Sequence, residues 1–455
     1  MSTAVKTKHE VDMLNGPIVK GLLTIALPVM LMNVLQTIFS IIDMTMLGFL
    51  VDDSAVGSVG ACSSLITAIT GLVIGVSVGA NVIVSRYIAK NDSENVERTV
   101  GSSILFALVG GLVLTIIGVS FAKTFLQWMN CPNSLLEDAT VYFRIYFAGA
   151  PLVMLYNFSA SILRSMGDAK RAMYFLLIGG IAKILISILI TTVFKTRVEG
   201  VAIGTIFSFI IAGGLCFYVL VKSKSIVKFK FSKFRFYSEQ LKQILLVGIP
   251  TGLQNALYGF ANVVIATAVN SFGPHATEGI SIANNFDGVL YHVSIAVSYA
   301  VLPFISQNVS VGNIKRANEV IKKGALLTIL FGATLGSLSA IFSGQLSSII
   351  SQNPEVINYS QQKMVIISST YFICGIQDVM FSSLRGIGKP IVPTVTAFMF
   401  QFAIRFFWVY VLFPLCPNLT FLYLVWPVGW TLSIITSLIF YIPTQKKLKL
   451  QQKNA

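Results

Sequence analysis

The chain has 455 residues, 55% of them hydrophobic and only 11% charged, with a mean hydropathy of +0.78. Soluble chains carry about 25% charged residues, so this composition excludes a water-facing globular protein and indicates an all-α integral membrane protein. The net charge of +15 would suit nucleic acid, but the basic residues sit where membrane topology puts them, and nucleic acid is set aside as a partner.

The first ten residues are polar and the apolar segment after them is a full span, so no cleavable signal peptide is expected. Apolar stretches of roughly 20 residues, the length a helix needs to cross a bilayer, recur along the whole chain. Twelve are expected, near 18–48, 54–84, 99–122, 139–163, 172–194, 198–221, 243–270, 279–306, 320–346, 362–384, 391–413 and 419–443. Pro28 lies in the first span and Pro250 in the seventh, where each removes a helix hydrogen bond and can kink its helix. Gly71, Gly75 and Gly79 form a small-residue ladder on the second span, which lets a neighbouring backbone approach closely.

Between spans six and seven, residues 222–242 carry Lys222, Lys224, Lys228, Lys230, Lys233, Arg235 and Lys242, with Phe229, Phe231, Phe234 and Phe236 interleaved. This reads as a basic linker between an amino-terminal lobe (1–221) and a carboxy-terminal lobe (243–455), with a lipid head-group contact as its functional alternative. Of the 33 Lys and Arg, 26 fall in loops or ends on the side of the amino terminus. The opposite side holds Lys123, Lys195 and Arg197 beside Asp52, Asp53, Glu137, Asp138, Glu199, Glu278 and Glu355. This positive-inside bias puts both termini in the cytoplasm and the protein, multi-pass, in the cell membrane. The five cysteines show no metal-ligand spacing; three lie within or at the edge of spans and read as small apolar fillers, while Cys131 and Cys416 both fall towards the outer side.

The two lobes repeat each other. Leu163-Arg164-Ser165-Met166-Gly167 returns as Leu384-Arg385-Gly386-Ile387-Gly388, and Ser85 as Ser306, at an offset of 221 residues. Ile25-Ala26-Leu27-Pro28 pairs with Val247-Gly248-Ile249-Pro250, and Asn33 with Asn255, at an offset of 222. Duplicated six-span units of one orientation, related by an axis along the membrane normal, are a transporter architecture.

Several segments carry a family resemblance: Gly16-Pro17-Ile18, Ala26-Leu27-Pro28, Asp43-Met44-Thr45-Met46-Leu47-Gly48, the two L-R-x-x-G repeats, Pro250-Thr251-Gly252-Leu253-Gln254, Ser306-Gln307-Asn308 and Trp426-Pro427. In this order, over nearly the whole chain, they resemble the multidrug and toxic compound extrusion (MATE) family. The resemblance implies two six-helix lobes around a central cleft, alternating access between them, and export of organic, often cationic, compounds driven by sodium or proton entry. It also implies a cation site in the amino-terminal lobe, built from an Asp on the first helix, an Asn and an Asp on the fifth and a Thr on the sixth. Asp43 and Thr205 match that pattern, whereas Lys183 and Ser187 stand where the Asn and Asp belong.

Depth arithmetic at 1.5 Å per residue puts Asp43, Ser187 and Thr205 at similar depth, with Lys183 one turn deeper but within side-chain reach. Lys183 is therefore expected to replace a bound cation as the counter-ion of Asp43, which favours protons over sodium as the coupling ion and leaves no resident metal or cofactor. A proton-linked role and a purely structural bridge both fit this pairing. In the second lobe the same arithmetic pairs Asp287 with Arg405 and puts Asp378 nearer the cytoplasmic end, where solvation and pairing with Arg385 are the alternatives; Arg144 is left as a buried cation without a partner. Candidate substrate contacts are Asn255, Tyr258, Asn284, Asp287, Tyr291, His292, Asp378 and Arg405, since aromatic faces and buried acids attract organic cations. A monomer that acts on small organic, chiefly cationic compounds within the lipid bilayer is expected. A flippase for a lipid-linked precursor is the alternative. A membrane enzyme is not expected, because no span carries DxxxD, HxxxxD or HExxH, and no phosphate-binding G-x-x-x-x-G-K-[ST] loop occurs.

Overall fold

The computed structural model describes residues 10–453 of the chain; the polar start of the amino terminus lies largely outside them. The helices, in chain order, are α1 (Ile18–Leu50), α2 (Asp53–Ala89), α3 (Ser93–Trp128), α4 (Asn133–Ala148), α5 (Ala150–Ser165), α6 (Ala169–Val193) and α7 (Glu199–Lys222). They continue as α8 (Ser238–Asn270), α9 (Pro274–Ser310), α10 (Ile314–Ile341), the short α11 (Ser343–Ser348), α12 (Pro354–Gly386), α13 (Ile391–Ala397), α14 (Ile404–Phe407), α15 (Leu419–Tyr423) and α16 (Val425–Lys453).

Eleven of the described helices or helical runs are long and apolar enough to cross a membrane, and α4 with α5, bent by 49°, makes a twelfth. The bend has a local cause: Gly149 ends α4 and Pro151 sits in the first turn of α5, where its ring and missing N–H cannot continue the preceding helix. The eleventh span runs from Ile391 to Leu415 and is not a plain α-helix. It is π-wound over Phe398–Ala403 and again over Trp408–Leu412, with α14 between.

The chain divides into two compact units. Unit 1 holds Leu31–Ile249 and residues 10–11; unit 2 holds Asp12–Met30 and everything from Pro250. The divide thus falls inside α1 and α8, two residues after Pro28 and immediately before Pro250, rather than within residues 222–242. Helix continuity explains why sequence spacing does not show this: a span reads as one apolar run whichever unit each half packs against.

In unit 1, residues 222–242 lie along α3. Glu97, almost fully buried, binds Lys230 at 2.8 Å and Lys228 at 3.5 Å. The hydroxyl of Ser102 donates to the carbonyl of Arg235 and accepts from the amide of Tyr237. At the opposite end of the unit, Arg197 reaches Asp52 and Asp138, each at 2.9 Å, and ties α2, α4 and the α6–α7 loop together. Hydrogen bonds from the Ser54 hydroxyl and the Ala55 amide, with Arg197 adding to them, hold Asp52 down at about 2. The stability this lends is present above the ordinary carboxylate range and is lost only as pH falls through about 2.

The L-R-x-x-G repeats are helix ends. Gly167 and Gly388 hold φ of +88° and +90°, the left-handed region that glycine enters without penalty. In each copy the glycine amide bonds back to the arginine carbonyl, and the next amide to the leucine carbonyl: Gly167 to Arg164 and Asp168 to Leu163, Gly388 to Arg385 and Lys389 to Leu384. That double bond pattern is a Schellman cap. The neighbouring loops match too: Asn91 and Gly312 are both left-handed, and the Asp92 and Asn313 side chains then cap α3 and α10.

The glycine ladder on α2 meets the start of α8 backbone to backbone. A Cβ on Gly79 would lie 2.1 Å from the Ile244 carbonyl oxygen, and one on Gly248 would lie 2.5 Å from that of Val76. Gly79→Ala must push these helices apart and is expected to cost about 1–3 kcal/mol, read as a fall in the thermal unfolding midpoint of the purified protein. Gly214→Ala, where a Cβ meets nothing within 4 Å, should leave that midpoint unchanged or slightly raised; equal midpoints for the two variants would contradict the close approach.

Candidate functional site

In unit 1 the structure brings the expected pair together. Lys183 on α6 donates to Asp43 on α1 at 2.5 Å, with side-chain exposures of 11% and 9%. The second carboxylate oxygen, Oδ1, is buried without a hydrogen-bond partner among the described residues. Ser187 lies one turn further along α6, fully buried, and its hydroxyl is likewise unpartnered. Thr205 on α7 donates to the Val201 carbonyl of its own helix. Gly204 seats α7 against α6: a Cβ there would lie 2.0 Å from the Ser187 hydroxyl and 2.9 Å from the Lys183 carbonyl. No described hydrogen bond joins Ser187 or Thr205 to Asp43, so the carboxylate's polar partner is the ammonium.

Unit 2 corrects the second expected pair. Asp287 on α9 meets Lys363 on α12, at 2.9 Å, and not Arg405. Ser368 adds a hydroxyl at 3.5 Å, and Lys363 also donates to the amide oxygen of Asn284. Hydropathy puts span ten at 362–384, which leaves Lys363 at a span edge. In fact α12 begins at Pro354, so Lys363 sits roughly 13 Å down the helix at 1.5 Å per residue. The signal was available in Asn353-Pro354-Glu355, a helix start by its capping residue and first-turn proline.

Arg405 donates from Nη1 to Asn262 on α8 at 2.6 Å, and its guanidinium carbon lies 4.9 Å from the centroid of the Trp426 ring. Lys363 Nζ lies 5.9 Å from the same ring. Arg405 thus lies near the depth expected of it, since it and Lys363 reach the same ring; its partner differs because Lys363 holds Asp287.

Arg385, near Asp378, donates to Gln254 at 2.7 Å, and Gln254 in turn donates to the Tyr258 hydroxyl at 2.8 Å. Arg385 is also the charge that acts on Asp378, whose Oδ2 is buried without a partner. Tyr291 and His292 are half-buried neighbours with ring centroids 6.1 Å apart, and Asn255 is half-buried on α8. Arg144 is exposed, not buried, and donates to the Val119 carbonyl. The candidates therefore resolve into an ion pair in unit 1 and a larger charged and aromatic cluster in unit 2.

Comparison with known proteins accords with this arrangement. The family model described as MatE matches the chain twice, over residues 28–189 and 250–411. The probable multidrug resistance protein YoeA of Bacillus subtilis is 26% identical over 375 residues, 81% of each chain. The probable multidrug resistance protein NorM of Thermotoga maritima is 25% identical over 387 residues, 84% of this chain and 82% of that one. Among solved structures, a MOP superfamily transporter from Pyrococcus furiosus superposes with a TM-score of 0.86 at 19% identity, over 98% of this chain and 99% of that one.

Removing one partner of a buried ion pair leaves the other charge unpaired, at a cost of about 3–5 kcal/mol, while neutralising both is near neutral. Lys363→Met should therefore lower the thermal midpoint sharply, and Asp287→Asn/Lys363→Met should recover most of the loss. A double variant no more stable than the single one would show that Asp287 and Lys363 are not energetically coupled.

Proposed function

The chain belongs to the MatE family, and from that membership we propose that it is a secondary-active multidrug exporter, a transporter rather than an enzyme, working by alternating access and driven by proton entry. Its spans make it a multi-pass membrane protein; the cell membrane, cytoplasmic termini and a monomeric state complete the reading. The family match and the multidrug resistance relatives favour export of organic compounds, and nothing in them favours the lipid-flippase alternative.

The observation that carries the coupling is the buried Asp43–Lys183 pair. Sodium would need several oxygen ligands in place of an ammonium. Here the ammonium occupies the carboxylate, and the Thr205 hydroxyl points its proton at a helix carbonyl. A proton can still act on the pair. Protonating Asp43 removes the attraction and leaves the Lys183 ammonium in a low-dielectric interior, a state several kcal/mol uphill unless water or another acceptor reaches it. The unpartnered Ser187 hydroxyl, one turn along the same helix, offers such an acceptor. Loading a proton from one side and releasing it on the other then biases unit 1 between two arrangements. On the substrate side, the half-buried Tyr258, Tyr291 and His292, with the free oxygen of Asp378, suit the flat faces and positive charge of organic cations.

Proteoliposomes loaded with a fluorescent organic cation and placed under one imposed gradient at a time test this. The native protein should transport under a proton gradient and not under sodium alone. Lys183→Asn should cut proton-driven transport by about tenfold or more, a barrier change of about 1.4 kcal/mol or above, and bring in sodium dependence. Unchanged rate and unchanged ion dependence would reduce the Asp43–Lys183 pair to a structural bridge.

A further inference from the structure

The internal repeat carries Lys183 onto Arg405 at an offset of 222 residues, the same offset that carries Pro28 onto Pro250. In unit 1 the cation meets a carboxylate from α1, at 2.5 Å. In unit 2 the corresponding partner, from α8, is the amide oxygen of Asn262 at 2.6 Å. An amide is neutral, so the charge of Arg405 stays uncompensated although its surface is only 5% exposed. Of the other acids buried nearby, Asp287 is paired with Lys363, and Asp378 keeps a partnerless oxygen and forms no described ion pair with Arg405. Three buried cations thus face two carboxylates in this part of unit 2.

We propose that Arg405 is a binding residue for a substrate carboxylate, so that the exporter takes aromatic compounds carrying an acid group, including zwitterions, and not organic cations alone. The inference rests on the export reading and narrows its substrate class. A guanidinium offers five donors in a planar fork that matches a carboxylate two bonds at a time. Asn262 takes one of them, and the Trp426 ring at 4.9 Å fixes the plane of the rest. The backbone is specialised at this residue, since α14 is a single turn held between two π-wound segments, a winding concentrated at functional positions. The site is also open to solutes. Asn262 on α8 and Asn284 on α9 are exposed, and amide groups within spans face water or a solute in preference to lipid. Trp426, half-buried beside Arg405, supplies an aromatic face for the body of the compound.

The test uses the purified full-length protein and two probes that share one cationic xanthylium ring: a rhodamine with a free benzoate carboxylate, and its methyl ester. Fluorescence anisotropy should show the acid binding about tenfold more tightly than the ester, or better. Arg405→Gln should weaken the acid by a similar factor and leave the ester within about twofold. Asn262→Asp supplies in unit 2 the carboxylate that unit 1 has; it should abolish the preference for the acid while raising thermal stability, so the test does not depend on a variant that folds poorly. Equal binding of the two probes, tighter binding of the ester, binding of neither, or an acid preference that survives Asn262→Asp overturns the proposal. Proton-driven uptake of the ester without any acid preference would refute this subsite and leave the export reading standing. Acid preference without uptake of either probe would do the reverse.

Discussion

A cation buried in a bilayer-spanning protein must be compensated, and that requirement organises the polar interior of both units. The ammonium of Lys183 and the guanidinium of Arg405 stand at corresponding places in the repeat, each on the fifth span of its unit, each facing the first. Water cannot solvate either as it would at a surface, and the unsupported cost is several kcal/mol per ion. What differs is the partner: a carboxylate in one unit, which cancels the charge, and an amide and an indole face in the other, which leave it standing. Glycines make the geometry possible, because Gly204 lets α7 press on α6 close enough to hold Lys183 and Ser187 in place.

The backbone repeat is more faithful than the chemistry it carries. Asn91 and Gly312, Gly167 and Gly388, Asp92 and Asn313 occupy equivalent turns and caps with equivalent conformations. The α2–α5 contact between Ser85 and the Ser165 carbonyl has its counterpart where Gly386 sits against Ser306. Elsewhere the copies part. Asp287 and Lys363 correspond by offset to Ile66 and Tyr142, so the second unit has an ion pair where the first has apolar and aromatic packing. α12 is continuous where α4 and α5 are broken, since Phe372 replaces Pro151 at the equivalent position. Selection on a duplicated bundle preserves what sets helix ends and crossings, and side chains inside are then free to specialise.

Much of this was legible in the amino-acid sequence. Hydropathy marks the spans because lipid leaves no alternative to apolar helices, and the L-R-x-x-G repeats mark helix ends because only glycine sits easily at a positive φ. The Asp43–Lys183 pair was legible through the family resemblance, which says that these positions on α1 and α6 face each other, and counting along the two helices agrees with it. The Asp287–Lys363 pair was not, since it needed the true start of α12, and hydropathy places the edges of a span to within only a few residues. The expected Asp287–Arg405 pair fails for the same reason: with Lys363 put at a span edge, Arg405 is left as the cation at the depth of Asp287. The division of α1 and α8 between units was invisible because it changes packing without changing composition.

The difference between the two cations reaches into what each unit can do. In unit 1 the ammonium of Lys183 and the carboxylate of Asp43 cancel one another across a single hydrogen bond. In unit 2 the arginine guanidinium keeps its charge under any condition a protein meets. Arg405 is therefore useless as a proton carrier but constant as an attractor, and the only way to neutralise it is to bring a negative group to it. Asn262 holds the guanidinium without cancelling it, and Trp426 orients it without filling its donors. The same fold thus presents a mutually compensated pair in one unit and a permanent charge in the other, and the negative group that would cancel that charge has its place in the second.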